Sequence, residues 1–198
     1  MKKAIYAVCV ILVVLVFAGP GCGGGEEELP ANGVYRLRSQ YKVLSEDDVK
    51  SMLDARGFYD RRWHRSGGFP NRYQLKTVGE HKVVIDRASN LTWHQSGSEL
   101  PVIFEDIKPW LEQLNRERFA GYADWRLPTL EEALTLMESK PIDRYHIDPI
   151  FSTQQYSMWS GDFYTDVRVW GVSFNYGRVF KVLLGETDYI RPVRSGAD

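Results

Sequence analysis

Five arginines stand between positions 56 and 72: Arg56, Arg61, Arg62, Arg65 and Arg72. One acid, Asp60, shares the stretch, so the segment carries a local excess of four positive charges on a chain whose net charge is −1. Guanidinium forks match sulfate, phosphate and carboxylate groups in geometry as well as charge. Trp63 and Phe69 lie between the arginines as rings on which a sugar or base can stack. Gly67, Gly68, Pro70 and Asn71 make the segment loop-like, and loops of this composition are exposed. Two readings follow. In one, the run is a solvated charge stretch pairing with the acidic residues 46–48. In the other, Arg61, Arg62, Trp63, Arg65 and Arg72 form a contact surface for sulfated, phosphorylated or uronic polymers that needs no calcium.

Signals for catalysis are weak. The four histidines, His64, His81, His94 and His146, include no pair at the i, i+4 spacing of a helical metal site, and no HExxH occurs. Neither a GxSxG elbow nor a GxxxxGK[ST] phosphate loop is present. Carboxylates are plentiful, but no pair can be nominated for acid–base work without a cleft to hold it. No catalytic residue, metal, cofactor or nucleic-acid partner is therefore expected.

The remaining chemistry is covalent and sits near the N-terminus. Lys2 and Lys3 precede an apolar run from Ala4 to Ala18 that is too short to span a bilayer, which needs about 20 residues, and fits a signal-peptide core. Gly19-Pro20-Gly21-Cys22 then resembles a lipoprotein cleavage box, although an aliphatic residue is usual at position 19 and Pro is rare at 20. Residues 1–21 are read as a signal peptide, Cys22 as the lipidated first residue, and 22–33 as a flexible Gly/Glu tether. Gly23 after the cysteine favours the outer membrane in a cell that has two. Cleavage removes Lys2, Lys3 and Cys9 but no acid, which leaves 23 bases against 26 acids and no free thiol beyond Cys22.

Elements must hold these groups in place. A composition of 43% hydrophobic and 26% charged residues is that of a globular chain, and 13% aromatic residues promise one substantial core. Val34–Leu44 reads as an extended arm. Ser45 with Asp48 three residues on is a capping box opening a helix with Val49, Met52 and Leu53 on one face, stopped at Gly57. Lys82–Ile85 and Leu91–Trp93 are short strand candidates. Ile103, Ile107, Trp110, Leu111 and Leu114 share a helical stripe, with Pro109 tolerable only in a first turn, so the regular helix is placed from about residue 105 to about 118. Thr129 and Glu132 open a third helix running to about Ser139. Tyr156–Ser160, Val167–Phe174, Arg178–Leu184 and Tyr189–Val193 read as strands. Helices first and antiparallel strands afterwards argue an α+β fold.

Gly121-Tyr122-Ala123-Asp124-Trp125-Arg126-Leu127-Pro128-Thr129, followed by Glu132, resembles the signature of the Lcl C-terminal domain family, bacterial domains named for the end of a collagen-like surface adhesin. Val84–Trp93, Ile147–Phe151, Trp170–Phe174 and Tyr189–Arg194 agree in the same order, so the resemblance covers about residues 77–198, with 34–76 as a helical and basic segment before it. It implies a C-type-lectin-like fold, with two or three helices flanking a twisted antiparallel sheet. Read from the residues, the signature is architecture: Trp125 and Leu127 turn inward, Pro128 and Thr129 set a helix entrance, and Asp124 pairs with Arg126 or Arg126 bonds backbone carbonyls. Formylglycine-generating enzymes share the broader fold but need thiols that the exported domain lacks. Glu-Pro-Asn, Gln-Pro-Asp and Trp-Asn-Asp, which hold calcium in sugar-binding lectins, do not occur. Two functions are left: a lipid-anchored, non-catalytic envelope module binding a glycan, polyanion or protein, and an accessory envelope lipoprotein whose partner is another envelope protein. Glycan binding by the domain supports the first, and stoichiometric co-purification of an envelope protein the second.

Overall fold

A computed structural model describes residues 33–196; the stretch read as a signal peptide, Cys22 and the expected tether apart from Gly33 lie outside the described residues. Helix α1 spans Glu46–Arg56. The Ser45 hydroxyl accepts the Asp48 N–H, the Asp48 carboxylate accepts the Ser45 N–H, and Gly57 ends the helix at φ +64°. Val49 and Leu53 are fully buried.

Strands β1 (Tyr73–Val78), β2 (His81–Asp86) and β3 (Leu91–His94) form an antiparallel meander, and β7 (Val193–Ser195) pairs with the far side of β3. Buried Asp86 closes the turn into β3 by accepting N–H groups of Arg72, Ala88 and Ser89 at 2.8, 2.9 and 3.2 Å. A second antiparallel sheet holds β4 (Ser157–Thr165), β5 (Arg168–Ser173) and β6 (Arg178–Leu183). Between the two sheets in sequence lie α2 (Ile107–Arg116) and the short α3 (Leu130–Leu134). The class is α+β, as the residue pattern indicated, with its strands divided between two sheets.

One large core gathers Val49, Leu53 and Phe58 with Trp93, Leu134, Trp170 and Val193. Smaller clusters form around Trp159 under α2 and around Trp125 under β2. The first core takes side chains from both sides of residue 77, and β1 lies across positions 76 and 77, so the N-terminal segment and the rest share one interior.

The arm 33–44 is laid along β4. Leu44 N–H donates to the Phe163 carbonyl at 2.8 Å, and Phe163 N–H donates to that of Lys42 at 2.9 Å. Asp162, fully buried, accepts both terminal nitrogens of Arg38 (2.9 and 2.7 Å) and the N–H groups of Lys42 and Leu130 (both 2.7 Å). The Tyr41 ring occupies the space above Gly161 that any Cβ there would fill.

Three expectations are corrected. A strand at 73–78 was not anticipated, because its side chains are only half-buried and its alternation is weak. The third helix ends at Leu134, not Ser139: the Thr135 hydroxyl bonds the Glu132 carbonyl at 2.7 Å, and Leu136 and Met137 continue in tight i, i+3 turns. The last strand covers 193–195, not 189–193, since Pro192 offers no N–H and Ile190 is bonded to the Ser98 side chain. Among the described residues, no helix is long and apolar enough to cross a membrane.

Candidate functional site: an arginine cleft

Residues 58–65 form a turn built on Asp60, whose side chain is fully buried. One of its oxygens accepts the N–H groups of Arg62 (2.8 Å) and Trp63 (2.9 Å), and the other accepts that of Val179 in β6 (2.8 Å). Asp60 and His64 exchange backbone hydrogen bonds at 2.9 Å, and Arg61 N–H donates to the Gly177 carbonyl at 2.8 Å. The only acid of the basic stretch is thus consumed by backbone amides and makes no ion pair with an arginine among the described residues. The turn is also fixed to the start of β6.

That attachment brings Arg61, Arg62 and Arg65 beside Tyr176 and Arg178, and the five residues line an open cleft of about 350 Å³. The Arg178 guanidinium lies 5.3 Å from the Tyr176 ring centre, and its Nε is buried without a partner among the described residues. Arg65 Nε donates to the Arg61 carbonyl at 2.8 Å. Among the described residues none of these four arginines is within salt-bridge distance of a carboxylate. Pairing with the acidic residues of α1 is not observed. Glu46 binds Lys181, Asp47 binds Lys50 at 3.0 Å, and Asp48 is engaged by Ser45. The hydrogen bond from Lys181 holds the Glu46 carboxyl below its usual range, and the Arg62 charge adds only a small pull in the same direction.

The other arginines of the stretch are elsewhere. Arg56 pairs with Glu131 at 3.0 Å, and Arg72 donates to the carbonyls of Gly33 and Arg87 at 2.6 and 2.9 Å, beside the arm. Trp63 is not a free platform: it packs edge-on against Trp170, while Arg62 and Lys50 lie 4.3 and 5.6 Å from its ring centre. Phe69 packs against Tyr35 and Phe58. Reasoning on the sequence missed Arg178 and Tyr176. Their only local signal was the turn Asn175-Tyr176-Gly177, and nothing in it said which distant loop it would meet.

The signature segment is scaffold. Trp125 is 2% exposed, and the Asn115 side chain bonds both its N–H and its carbonyl at 2.8 Å. Asp124 and Arg126 do not pair with each other. Asp124 accepts from Arg194 at 2.8 Å, whereas Arg126 makes a two-pronged bond to Glu132 at 2.8 and 2.7 Å and also donates to the Leu127 carbonyl at 3.0 Å. Glu132 in turn accepts the Thr129 N–H, so one carboxylate caps α3 and matches a guanidinium. The Pro128 carbonyl accepts the Gly161 N–H at 2.8 Å.

The histidine rings are hydrogen-bonded or packed on aromatic neighbours. His64 and His146 bond the carbonyls of Phe58 and Glu138, and the His81 and His94 rings lie against Phe119. No group of three or more His, Cys, Asp or Glu among the described residues is placed to hold a metal ion.

A comparison with curated proteins gives no match. The sequence model of the Lcl C-terminal domain matches residues 82–194, the stretch that runs from within β2 to within β7 and holds the signature and the Arg178 side of the cleft. With more than half of its length matched, and the Asp124–Glu132 segment serving as the frame of the fold, the chain belongs to the Lcl C-terminal domain family.

Proposed function

We propose that the chain is an exported envelope lipoprotein, anchored through Cys22, whose lectin-like domain is a non-catalytic binding module for acidic glycans or other polyanions. Family membership supports an envelope-associated domain. The observation that carries the binding reading is the cleft of Arg61, Arg62, Arg65 and Arg178, four guanidinium groups with no carboxylate among the described residues within salt-bridge distance. Guanidinium forks at such a surface are suited to sulfate or carboxylate groups spaced along a polymer. Electrostatic contacts of this kind weaken once salt shortens screening below about 8 Å.

The test is retention of the full-length protein on immobilised dextran sulfate. Binding should survive EDTA, fall as salt rises past physiological strength, and vanish in the triple variant Arg61→Ser, Arg62→Ser, Arg65→Ser without a change in melting temperature. Binding that EDTA destroys, or that salt leaves untouched, would sink the proposal. In the same preparation the Cys22→Ser variant should lose acyl mass from its N-terminal peptide and leave the membrane fraction or remain as precursor. Stoichiometric recovery of another envelope protein, with no polyanion bound, would favour the accessory role instead.

A further inference from the structure

A larger cleft, about 790 Å³, lies away from the arginines, between the loop after β3 and the loop before β4. Its two lips are tied together from behind by Arg191, which is fully buried and donates to the carbonyls of Gln95 and Ser152. Side-chain amides complete the tie: Gln155 Nε2 donates to the Ser98 carbonyl at 2.8 Å and Gln154 Nε2 to that of Glu99 at 2.7 Å. Gly97, at φ +104°, lets the first lip press against residue 190, where any Cβ would collide with the Ile190 carbonyl. The walls are therefore preorganised. α2 and the turn after it contribute Trp110 and Phe119.

The hydrogen-bonding character of the walls is specific. Among the described residues no lysine or arginine lines the cleft, and Glu99 is its one acid. Much of the lip backbone is already committed: Ser98 and Val102 N–H donate to Ile190 and Asp188, and the carbonyls of Ser98 and Glu99 are occupied. A peptide strand would find few free main-chain groups to pair with there. The glutamine Nε2 groups are committed as well, so what remains is amide oxygen, hydroxyl and imidazole. His94 Nδ1 accepts the N–H groups of Ser96 (3.2 Å) and Gly97 (2.8 Å), which leaves the ring proton on Nε2 as a donor without a protein partner among the described residues. Burial, with the Arg191 and His81 charges, pushes the His94 imidazole down to about 3, so it stays neutral. Gln155 Oε1, in a residue only 1% exposed, is a buried acceptor with no partner among the described residues.

We propose that this cleft binds a neutral saccharide. Sugar hydroxyl groups both donate and accept, which matches amide oxygens and serine hydroxyls beside the His94 ring N–H, and an uncharged ligand suits these walls. The two clefts then differ in chemistry, one charged and one neutral, and each can fail independently of the other.

The test uses the full-length protein in a detergent without a sugar headgroup, first on an array of neutral gluco-, galacto-, manno- and N-acetylglucosamine oligosaccharides. The best binder is then titrated while the His94 and Trp110 ring N–H resonances are followed by NMR. Both resonances should move. Affinity should hold from about 0.05 to about 0.5 M salt and in the triple arginine variant. It should be lost in Ser96→Trp, which plugs the cleft, at unchanged melting temperature. An array with no neutral binder, or binding that persists in Ser96→Trp, overturns the proposal. Binding that is lost in the arginine variant overturns it too and assigns the ligand to the other cleft.

Discussion

At the scale of single residues, two carboxylates with opposite surroundings make distinct predictions. Glu132 is matched: it receives Arg126 and the Thr129 N–H while 1% exposed. Arg126→Ala leaves that buried charge with its cap alone and should lower stability by roughly 2–4 kcal/mol. Trp125→Ala empties a buried site and should cost roughly 3–5 kcal/mol. Urea midpoints report both, and unchanged midpoints would refute the scaffold role of these residues. Asp188 is the unmatched case. Burial pushes its carboxyl up to about 6, against hydrogen bonds from Ser157 and the Tyr189 N–H, and its second oxygen has no partner among the described residues. A carboxyl raised in the folded state costs nothing below its unfolded value of about 4. It destabilises increasingly as pH climbs to 6, because the unfolded chain ionises first. Relative to wild type, Asp188→Asn should therefore gain on the order of 2–3 kcal/mol between pH 4 and pH 7. A difference between the two proteins that does not vary with pH would show that the carboxyl titrates normally.

At the scale of elements, the arm and α3 depend on one group. Asp162 in β4 joins Arg38 and Lys42 of the arm to the first N–H of α3. Asp162→Ala leaves Arg38 with Glu131, at 3.6 Å, as its remaining carboxylate and strands two backbone donors, a loss of roughly 2–4 kcal/mol. Amide exchange should localise the effect, with protection lost first at Lys42 and Leu44, before the β2–β3 ladder opens. Uniform loss of protection across both sheets would mean that the arm is not a separate unit of stability. The helix starts were legible because capping is local: Ser45 with Asp48, and Thr129 with Glu132, satisfy one another within a single turn. Strand β1 was not, since its half-buried side chains gain their meaning only from the register with β2.

At the scale of the whole molecule, the match to the family begins at residue 82, but the interior does not begin there. Val49, Leu53 and Phe58, each fully buried, fill the same core as Trp93 and Trp170. A fragment starting at residue 77 loses them together with most of β1. It should lack the single cooperative thermal transition of the full chain, and a sharp transition near the full-length temperature would prove the later part autonomous. The same long-range packing built the arginine cleft, because β6 brings Arg178 and Tyr176 to a turn more than a hundred residues earlier.

The sequence alone determined what is local in cause. The α+β class followed from periodicity, the helix starts from caps, and the scaffold segment 124–132 from the inward alternation of Trp125 and Leu127. It also marked Arg61, Arg62 and Arg65, three of the four arginines of the cleft, since charge density is a property of the chain itself. Tertiary structure decided the pairings. It turned Asp60 inward, gave Arg126 to Glu132 instead of Asp124, removed Arg72 to the arm and packed Trp63 against Trp170. The physical reason is that partner choice among buried charges and rings depends on which surfaces fold against each other. Spacing along a chain does not encode contacts made between residues 60 and 179.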